Sequence, residues 1–336
     1  MIVAKYPATH GHTTVINNLC KHLNVLGYKT AIGAFSFTSD PPSGIEKVQL
    51  NKTKLLRQGV SCLPYDIIHS HQTRVNYYLL FKKPKKPFIF HYHGASNNIQ
   101  KNNLKLFLSL YYKRITKIIS VSKSGIEQMR TIYPEIDAEV LYNGVDTEFF
   151  SSNLEKTFKK GEPQLLFVSA LRSYKKAEIL VNAMSLISKK FPNSHLQIVG
   201  TGEELINLKN LVKSRHLTEF VELTGKISDD ELRMRYSSSD IYISASTFEV
   251  CPVPTLEAMS CGNCLVLYSI PPHEEIIEES KAGLTFTSFD ANEICDIVQK
   301  VYDNKSKFSE SALSFIKNLD WQKISLSLSK IYQNSH

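Results

Sequence analysis

Glu249-Val-Cys-Pro-Val-Pro-Thr-Leu-Glu257-Ala-Met-Ser-Cys-Gly262 sets two carboxylates eight residues apart across a loop-to-helix junction. Pro252 and Pro254 suit a loop and a first helical turn, so Glu249 is expected in the loop and Glu257 one turn inside the helix. The start of such a helix, here Val253, Pro254 and Thr255, attracts phosphate through its backbone N–H groups. Glu257 can then accept hydrogen bonds from two vicinal hydroxyls, as a ribose offers, and Glu249 can hold a sugar hydroxyl. The plainer reading is a solvated glutamate and an ordinary helix glutamate.

Outward from this stretch, short apolar runs alternate with amphipathic segments, the pattern of parallel strands joined by crossover helices. Strands are expected at 1–5, near 66–69, at 88–92 and at 117–121, with helices at about 13–26 and from 122. A polar stretch from Ser151-Ser152-Asn153 to Lys159-Lys160-Gly161-Glu162-Pro163 interrupts the alternation and reads as a linker. Alternation resumes with strands at 165–168, 196–199, 221–223, 241–243 and 264–267, and with helices at about 176–190, 203–215, 229–237 and 254–260. The expected fold class is therefore α/β, with two doubly wound Rossmann-like domains, residues 1–155 and 162–317, whose strand carboxyl ends face a central cleft where ligands bind. Trp321, Ile324, Leu328 and Ile331 have the spacing of an amphipathic helix. This C-terminal helix, within 318–336, is expected to pack back across the domain junction.

The 336 residues exceed one ordinary core and suffice for two domains of about 150 residues each. A hydrophobic content of 42% with 21% charged residues excludes a disordered, collagen-like or disulfide-scaffold chain. No apolar run approaches the roughly 18 residues of a membrane span, and Met1 leads into Ile2-Val3-Ala4 without signal-peptide features, so the expected location is cytoplasmic. The six scattered cysteines read as free thiols.

Seven further short motifs stand in order along the chain. They are Tyr6-Pro7 to Gly11, Asp66-Ile-Ile-His-Ser-His71, His91-Tyr-His93-Gly94, Ser120-Val-Ser122-Lys123, Tyr142-Asn143-Gly144-Val145-Asp146, Leu171-Arg172-Ser-Tyr-Lys175 and Gln197-Ile-Val-Gly200-Thr-Gly202. With the glutamate pair, which resembles an E-x7-E motif, they make nearly the whole chain similar to the retaining, GT-B-fold glycosyltransferases of family four. The resemblance implies transfer of a hexose from a nucleotide-diphosphate sugar to an acceptor hydroxyl with retention of configuration. It also implies a donor-binding C-terminal domain, an acceptor-binding N-terminal domain, and no metal or other cofactor. Lys175 would hold the diphosphate, His93 would lie beside the donor sugar, and Gly11 and Gly200 would line the donor site. Lys175, with Arg172 nearby, would stabilise the charge that develops on the leaving diphosphate.

The chain departs from this pattern in three places. The family's usual arginine falls at Ala170, with Arg172 two residues on as the candidate substitute. His10-Gly11 stands where Gly-Gly is common, and Pro252 replaces a frequent glycine and removes one donor N–H. A non-catalytic nucleotide-sugar-binding partner of another transferase therefore stays open as an alternative, as does a GT-B-fold nucleotide-sugar epimerase. The pairs His10/His12, His69/His71 and His91/His93 could each share a strand face and bind metal. Apart from Asp66, no carboxylate stands near them at ligand spacing, so no metal is expected. Cys261-Gly-Asn-Cys264 has redox spacing but follows a helix end, and is read as structural. Gly200-Thr-Gly202 lacks the third glycine of a dinucleotide fingerprint.

Charge is uneven. Residues 1–150 hold 19 Lys+Arg against 9 Asp+Glu, a net +10, and the remainder holds 21 against 23, a net −2. A basic half implies an anionic partner. Lys82-Lys83-Pro-Lys85-Lys86 is a dense basic run, and Leu104, Phe107, Leu108, Tyr111 and Tyr112 interleave with Lys101, Lys105, Lys113, Arg114 and Lys117. That interleaving suits a surface-bound amphipathic helix, or a core helix with a wet basic edge. With no stacking platform in view, nucleic acid is not expected. The expected partners are a nucleotide-sugar donor, a glycan or lipid-linked acceptor, and an anionic cytoplasmic membrane face to which the protein attaches peripherally.

Overall fold

The computed structural model describes residues 1–8 and 11–335. It divides into two units, Met1–Gly144 with Trp321–His336, and Val145–Asp320.

The first unit runs β1 (Lys5–Tyr6), α1 (His12–Val25), β2 (Ala31–Ala34), β3 (Ser36–Phe37), β4 (Glu46–Gln49), α2 (Lys52–Gln58), β5 (Ile68–Ser70), α3 (Thr73–Leu79), β6 (Phe88–Tyr92), α4 (Asn98–Tyr111), β7 (Lys117–Ser120), α5 (Lys123–Ile132) and β8 (Glu139–Val140). β2 pairs with β4, and β5, β6, β7 and β8 pair in that order, all parallel. The expected strand 1–5 joins these two ribbons. Ile2 bridges Gly33 on one side and Ser70 on the other, its N–H donates to the His69 carbonyl at 2.8 Å, and Gly33 N–H donates to the Met1 carbonyl at 2.8 Å. Phe88, Ile89, Phe90 and Tyr92 are all buried, as a strand covered on both faces requires. Asn97 and Ser122 cap α4 and α5, their side chains accepting from Gln100 N–H at 2.9 Å and Gly125 N–H at 3.0 Å.

The second unit runs β9 (Gln164–Val168), α6 (Ala177–Lys190), β10 (His195–Val199), α7 (Leu205–Ser214), β11 (Val221–Gly225), α8 (Asp229–Ser237), β12 (Ile241–Ser244), α9 (Val253–Ser260), β13 (Cys264–Tyr268), α10 (Pro271–Ser280), β14 (Gly283–Phe286), α11 (Ala291–Asp303) and α12 (Lys305–Ile316). Its six parallel strands lie in the order β11-β10-β9-β12-β13-β14. The chain winds outward in one direction from β9 and in the other from β12. Between them lies the switch point, outside whose strand carboxyl ends doubly wound sheets bind ligands.

The polar stretch 151–163 belongs to the second unit. Ser260 Oγ donates to the Phe150 carbonyl at 2.5 Å, Phe158 N–H to Ser238 Oγ at 3.1 Å and Glu162 N–H to the Asn193 carbonyl at 2.7 Å. The division falls instead at Gly144/Val145. The final helix, α13 (Trp321–Gln333), belongs to the first unit, where it packs on α1. Trp321, Ile324 and Leu328 are buried and Ile331 is half-buried. The Tyr28 hydroxyl meets Ser329 Oγ at 2.7 Å, and a Cβ on Gly144 would come within 2.5 Å of the Trp321 ring.

Candidate active site

In the second unit, the loops leaving β9 and β12 carry the residues expected to act. The loop after β9 makes a short turn at Ser173–Lys175, and Lys175 Nζ forms an ion pair with the carboxylate of Glu249, which follows β12. The two side chains are 14% and 15% exposed. Backbone contacts hold the pair in place: the N–H and hydroxyl of Thr247 both donate to the Tyr174 carbonyl, at 2.9 and 3.0 Å. The Tyr174 ring meets Phe248 edge-on at 6.3 Å, and the Lys175 ammonium lies 5.4 Å from the Tyr174 ring centre. A lysine and a glutamate, 74 residues apart in sequence, thus share one position at the switch point.

Arg172 is on the same turn but is not brought to this pair. It is exposed, and no ion pair or hydrogen bond engages its guanidinium among the described residues. Ala170 is exposed too. Gly200 follows β10 with φ +131°, and a Cβ there would lie 1.9 Å from the Ser169 carbonyl oxygen. The loops after β9 and β10 touch backbone to backbone, with Leu171 N–H donating to the Thr201 carbonyl at 2.9 Å and Glu204 N–H to the Leu171 carbonyl at 3.1 Å. Glycine at this position lets one loop brace the other.

Glu257 lies on α9, as the prolines imply, and its Oε2 accepts from the Tyr236 hydroxyl of α8 at 2.9 Å. Burial pushes its carboxyl up to about 7, against the hydrogen bond from Tyr236, which lowers it. At the start of α9, Pro254 has no amide hydrogen and the Thr255 N–H donates to the Pro252 carbonyl at 3.0 Å. Of Val253, Pro254 and Thr255, only Val253 therefore has an N–H that the helix start leaves free for phosphate.

His93 and Gly11 belong to the first unit. Gly11 precedes α1 with φ +77° and open space where a Cβ would stand; His10 lies outside the described residues. His93 ends a stack of imidazoles. Its ring lies 4.5 Å from His91 and 5.2 Å from His71, and His71 lies 4.5 Å from His69. His12 approaches His93 at 4.5 Å. Burial first, then mutual repulsion, pulls His69, His71 and His93 well below the ordinary histidine range, and burial takes His91 down to about 3. These rings are neutral at pH 7. His93 Nε2 and His71 Nδ1 stand 2.9 Å apart, and His69 Nδ1 meets the Tyr332 hydroxyl at 2.7 Å. His69, His71 and His91 each bring a ring nitrogen within 4.8 Å of the others, a grouping of the kind that can hold a metal ion.

Cys261 and Cys264 are free, buried thiols that follow α9, and burial pushes both up, Cys264 to about 12. Redox thiols are shifted the other way. Sequence reasoning missed Tyr236 and Thr247. Tyr236 reaches Glu257 from a different helix, Thr247 braces the turn after β9 through the Tyr174 carbonyl, and neither forms part of a motif. It also missed the merging of the histidine pairs into one stack; the shared strand ends at His71 and His93 were the available signal.

Residues 150–319 match the family model for glycosyl transferases group 1, and residues 9–149 match that for glycosyltransferase family 4. The chain is 28% identical over 241 residues to an uncharacterized glycosyltransferase of Methanocaldococcus jannaschii, covering 66% of this chain and 62% of that protein. It is 21% identical over 235 residues to the alpha-monoglucosyldiacylglycerol synthase of Streptococcus pneumoniae, covering 67% of this chain and 51% of that one. The matches thus span less than two thirds of either relative. Among solved structures, the Anabaena Alr3699/HepE protein in complex with UDP superposes with a TM-score of 0.82 at 16% identity over 99% of both chains. WaaG, a glycosyltransferase involved in lipopolysaccharide biosynthesis, superposes with a TM-score of 0.74 at 13% identity over 98% of both. These likenesses make the fold GT-B.

Proposed function

This chain belongs to the glycosyl transferases group 1 and glycosyltransferase family 4, and from that premise we propose that it moves a hexose from a nucleotide-diphosphate sugar to an acceptor hydroxyl with retention of configuration. The observation that carries the reading is the Lys175–Glu249 pair at the switch point, with Glu257 eight residues further on. In transfer, the bond from the anomeric carbon to the diphosphate oxygen breaks and the leaving group keeps the electron pair. The acceptor oxygen forms the new bond, and its proton passes to the departing diphosphate, whose oxygen holds the electron pair of the broken bond. Lys175 counters the negative charge gathering on the diphosphate, and a preorganised ammonium does this without a metal ion. An arriving diphosphate competes with Glu249 for that ammonium and frees carboxylate oxygens to accept from sugar hydroxyls. Glu257 accepts from the ribose diol when ionised. Neutral His93 offers a ring nitrogen to a hydroxyl of donor or acceptor.

The acceptor in this reading is a glycan or a lipid-linked saccharide, in the assembly of cell-surface glycans or glycolipids. Relatives support that choice, since the S. pneumoniae enzyme is named for a glycosylated diacylglycerol and WaaG for lipopolysaccharide biosynthesis. No helix among the described residues is long and apolar enough to cross a membrane. The test begins with a panel of nucleotide sugars scored by thermal stabilisation. The donor that stabilises is then followed for nucleotide release, and the product's anomeric configuration is read by NMR. An inverted product refutes retention. Tight binding without nucleotide release would favour a non-catalytic partner of another transferase, and sugar conversion without nucleotide loss would favour an epimerase.

A further inference from the structure

We propose that the first unit docks on an anionic lipid bilayer through the outer face of α4, with lipid phosphates held by the lysines at and beyond its C-terminal end. This rests on the reading that the acceptor is lipid-linked, and it names the surface that brings the unit to such an acceptor.

α4 has two apolar faces. The inner one, Leu104, Phe107 and Leu108, is buried and belongs to the core. Of the two readings of this helix, Phe107 thus follows the core one, and Tyr111 is half-buried against it. The outer face is a second stripe: Ile99 is 68% exposed, and Leu106 and Leu110 are 55% exposed each. Spacings of seven and eleven residues put all three on one line along the helix, roughly 16 Å long. Phe81, also 55% exposed, extends it, because Arg114 just beyond α4 donates to the carbonyls of Leu80 at 2.7 Å and Phe81 at 2.8 Å. These four make up nearly half of the ten large hydrophobics left exposed among the described residues, so they form a concentration rather than a scatter.

The charge around the stripe has one sign. Between Asp66 and Glu127 the chain has no carboxylate in 60 residues and carries 11 Lys and Arg. Lys82, Lys83, Lys85, Lys101, Lys105 and Lys113 are exposed, and none forms an ion pair among the described residues. A cleft of about 550 Å³, lined by Lys83, Lys85, Lys113 and Thr116 among others, is large enough for a phosphate headgroup. Lys86 also lines that cleft, but its charge is engaged within the fold. Its ammonium donates to the carbonyls of Leu63 at 2.6 Å and Tyr65 at 2.7 Å and ties down the loop before β5.

Outward leucines beside unpaired lysines match a surface that is apolar below and anionic at its rim, which is a bilayer interface. A nucleic acid would account for the lysines and leave the stripe unused.

The test is co-sedimentation of the whole protein with phosphatidylcholine vesicles, with and without phosphatidylglycerol, at low and high salt. The protein is expected to pellet with the anionic vesicles at low salt, to be released by high salt, and to ignore phosphatidylcholine alone. Replacing Lys82, Lys83 and Lys85 together by Gln is expected to lower partitioning about a hundredfold. The pair Leu106→Gln and Leu110→Gln is expected to lower it at least about tenfold with the melting temperature unchanged. Wild type that stays in the supernatant with anionic vesicles at low salt overturns the proposal. So does a leucine variant that binds like wild type, or binding to DNA as tight as to vesicles that depends on the lysines alone. Nucleotide release from the donor, measured without vesicles, reports separately on the transferase reading.

Discussion

Lys175 and Glu249 form an ion pair between the turn after β9 and the loop after β12, the two strands that flank the switch point of the second unit. Neither residue has a fixed place in sequence relative to the other, and the pair exists because the strand order makes two distant loops neighbours. Removing the ammonium therefore has two consequences. Lys175→Ala is expected to lower kcat by on the order of a hundredfold or more, as loss of a preorganised charge partner does. It also leaves a largely buried carboxylate without its counter-ion. In a double-mutant cycle with Glu249→Ala, stability measured by urea denaturation should show a coupling of about 1–3 kcal/mol. Wild-type kcat in Lys175→Ala would remove the lysine from the mechanism.

Glu257 gives a pH signature of known sign. Its carboxyl is raised to about 7 in the fold from the ordinary value near 4.5, so its contribution to stability is fully present below about 4.5 and is lost as pH rises through 7. Glu257→Gln keeps an acceptor for the Tyr236 hydroxyl and removes the charge. It is expected to raise the melting temperature at pH 8 by about 2–4 °C and to leave it unchanged near pH 4.5. Donor KM, by contrast, should rise in the variant, and in wild type it should rise as pH falls below 7 and the carboxylate proposed to accept from the ribose is protonated. A variant with unaltered donor KM would exclude Glu257 from the donor site.

Activity is expected to survive exhaustive chelation. In the proposed mechanism the charge on the leaving diphosphate falls to Lys175, with the Val253 N–H at the start of α9 as its companion. Nucleotide release measured in excess EDTA checks this. Complete loss that a divalent ion restores would replace the lysine-based account with a metal-assisted one.

The histidine stack predicts the opposite response to acid in the first unit. His91 is held near 3 against an ordinary 6.5, and both its ring nitrogens are buried without a partner. Its stabilising contribution is present above about 6.5 and is lost as pH falls toward 3, because the unfolded chain takes up a proton that the fold excludes. Urea midpoints are expected to fall between pH 7 and pH 5, and His91→Leu should reduce that fall. Equal pH dependence in variant and wild type would show that the stack does not control acid unfolding.

Much of the second unit was legible in its residues. Strands such as Leu165-Leu166-Phe167-Val168 are continuous apolar runs because both sheet faces are covered, and helix 229–237 falls where the sequence places it because Ser228 caps it, accepting from Glu231 N–H at 3.1 Å. Glu249 in a loop and Glu257 inside a helix follow from two prolines, whose fixed backbone permits little else. β2 and β4 escaped notice because Ala31-Ile-Gly-Ala and Glu46-Lys-Val-Gln carry too short or too polar a pattern; their pairing to each other makes them strands. The same holds for function. Which residue types are candidates to act could be read along the chain. That Arg172 faces solvent, that Lys86 is spent on two carbonyls, that Tyr236 supports Glu257 and that α4 has an outward apolar stripe depended on contacts between segments far apart in sequence. Local pattern reports what a residue can do with its near neighbours in the chain, whereas burial and partnership are set by whichever distant element the fold brings against it.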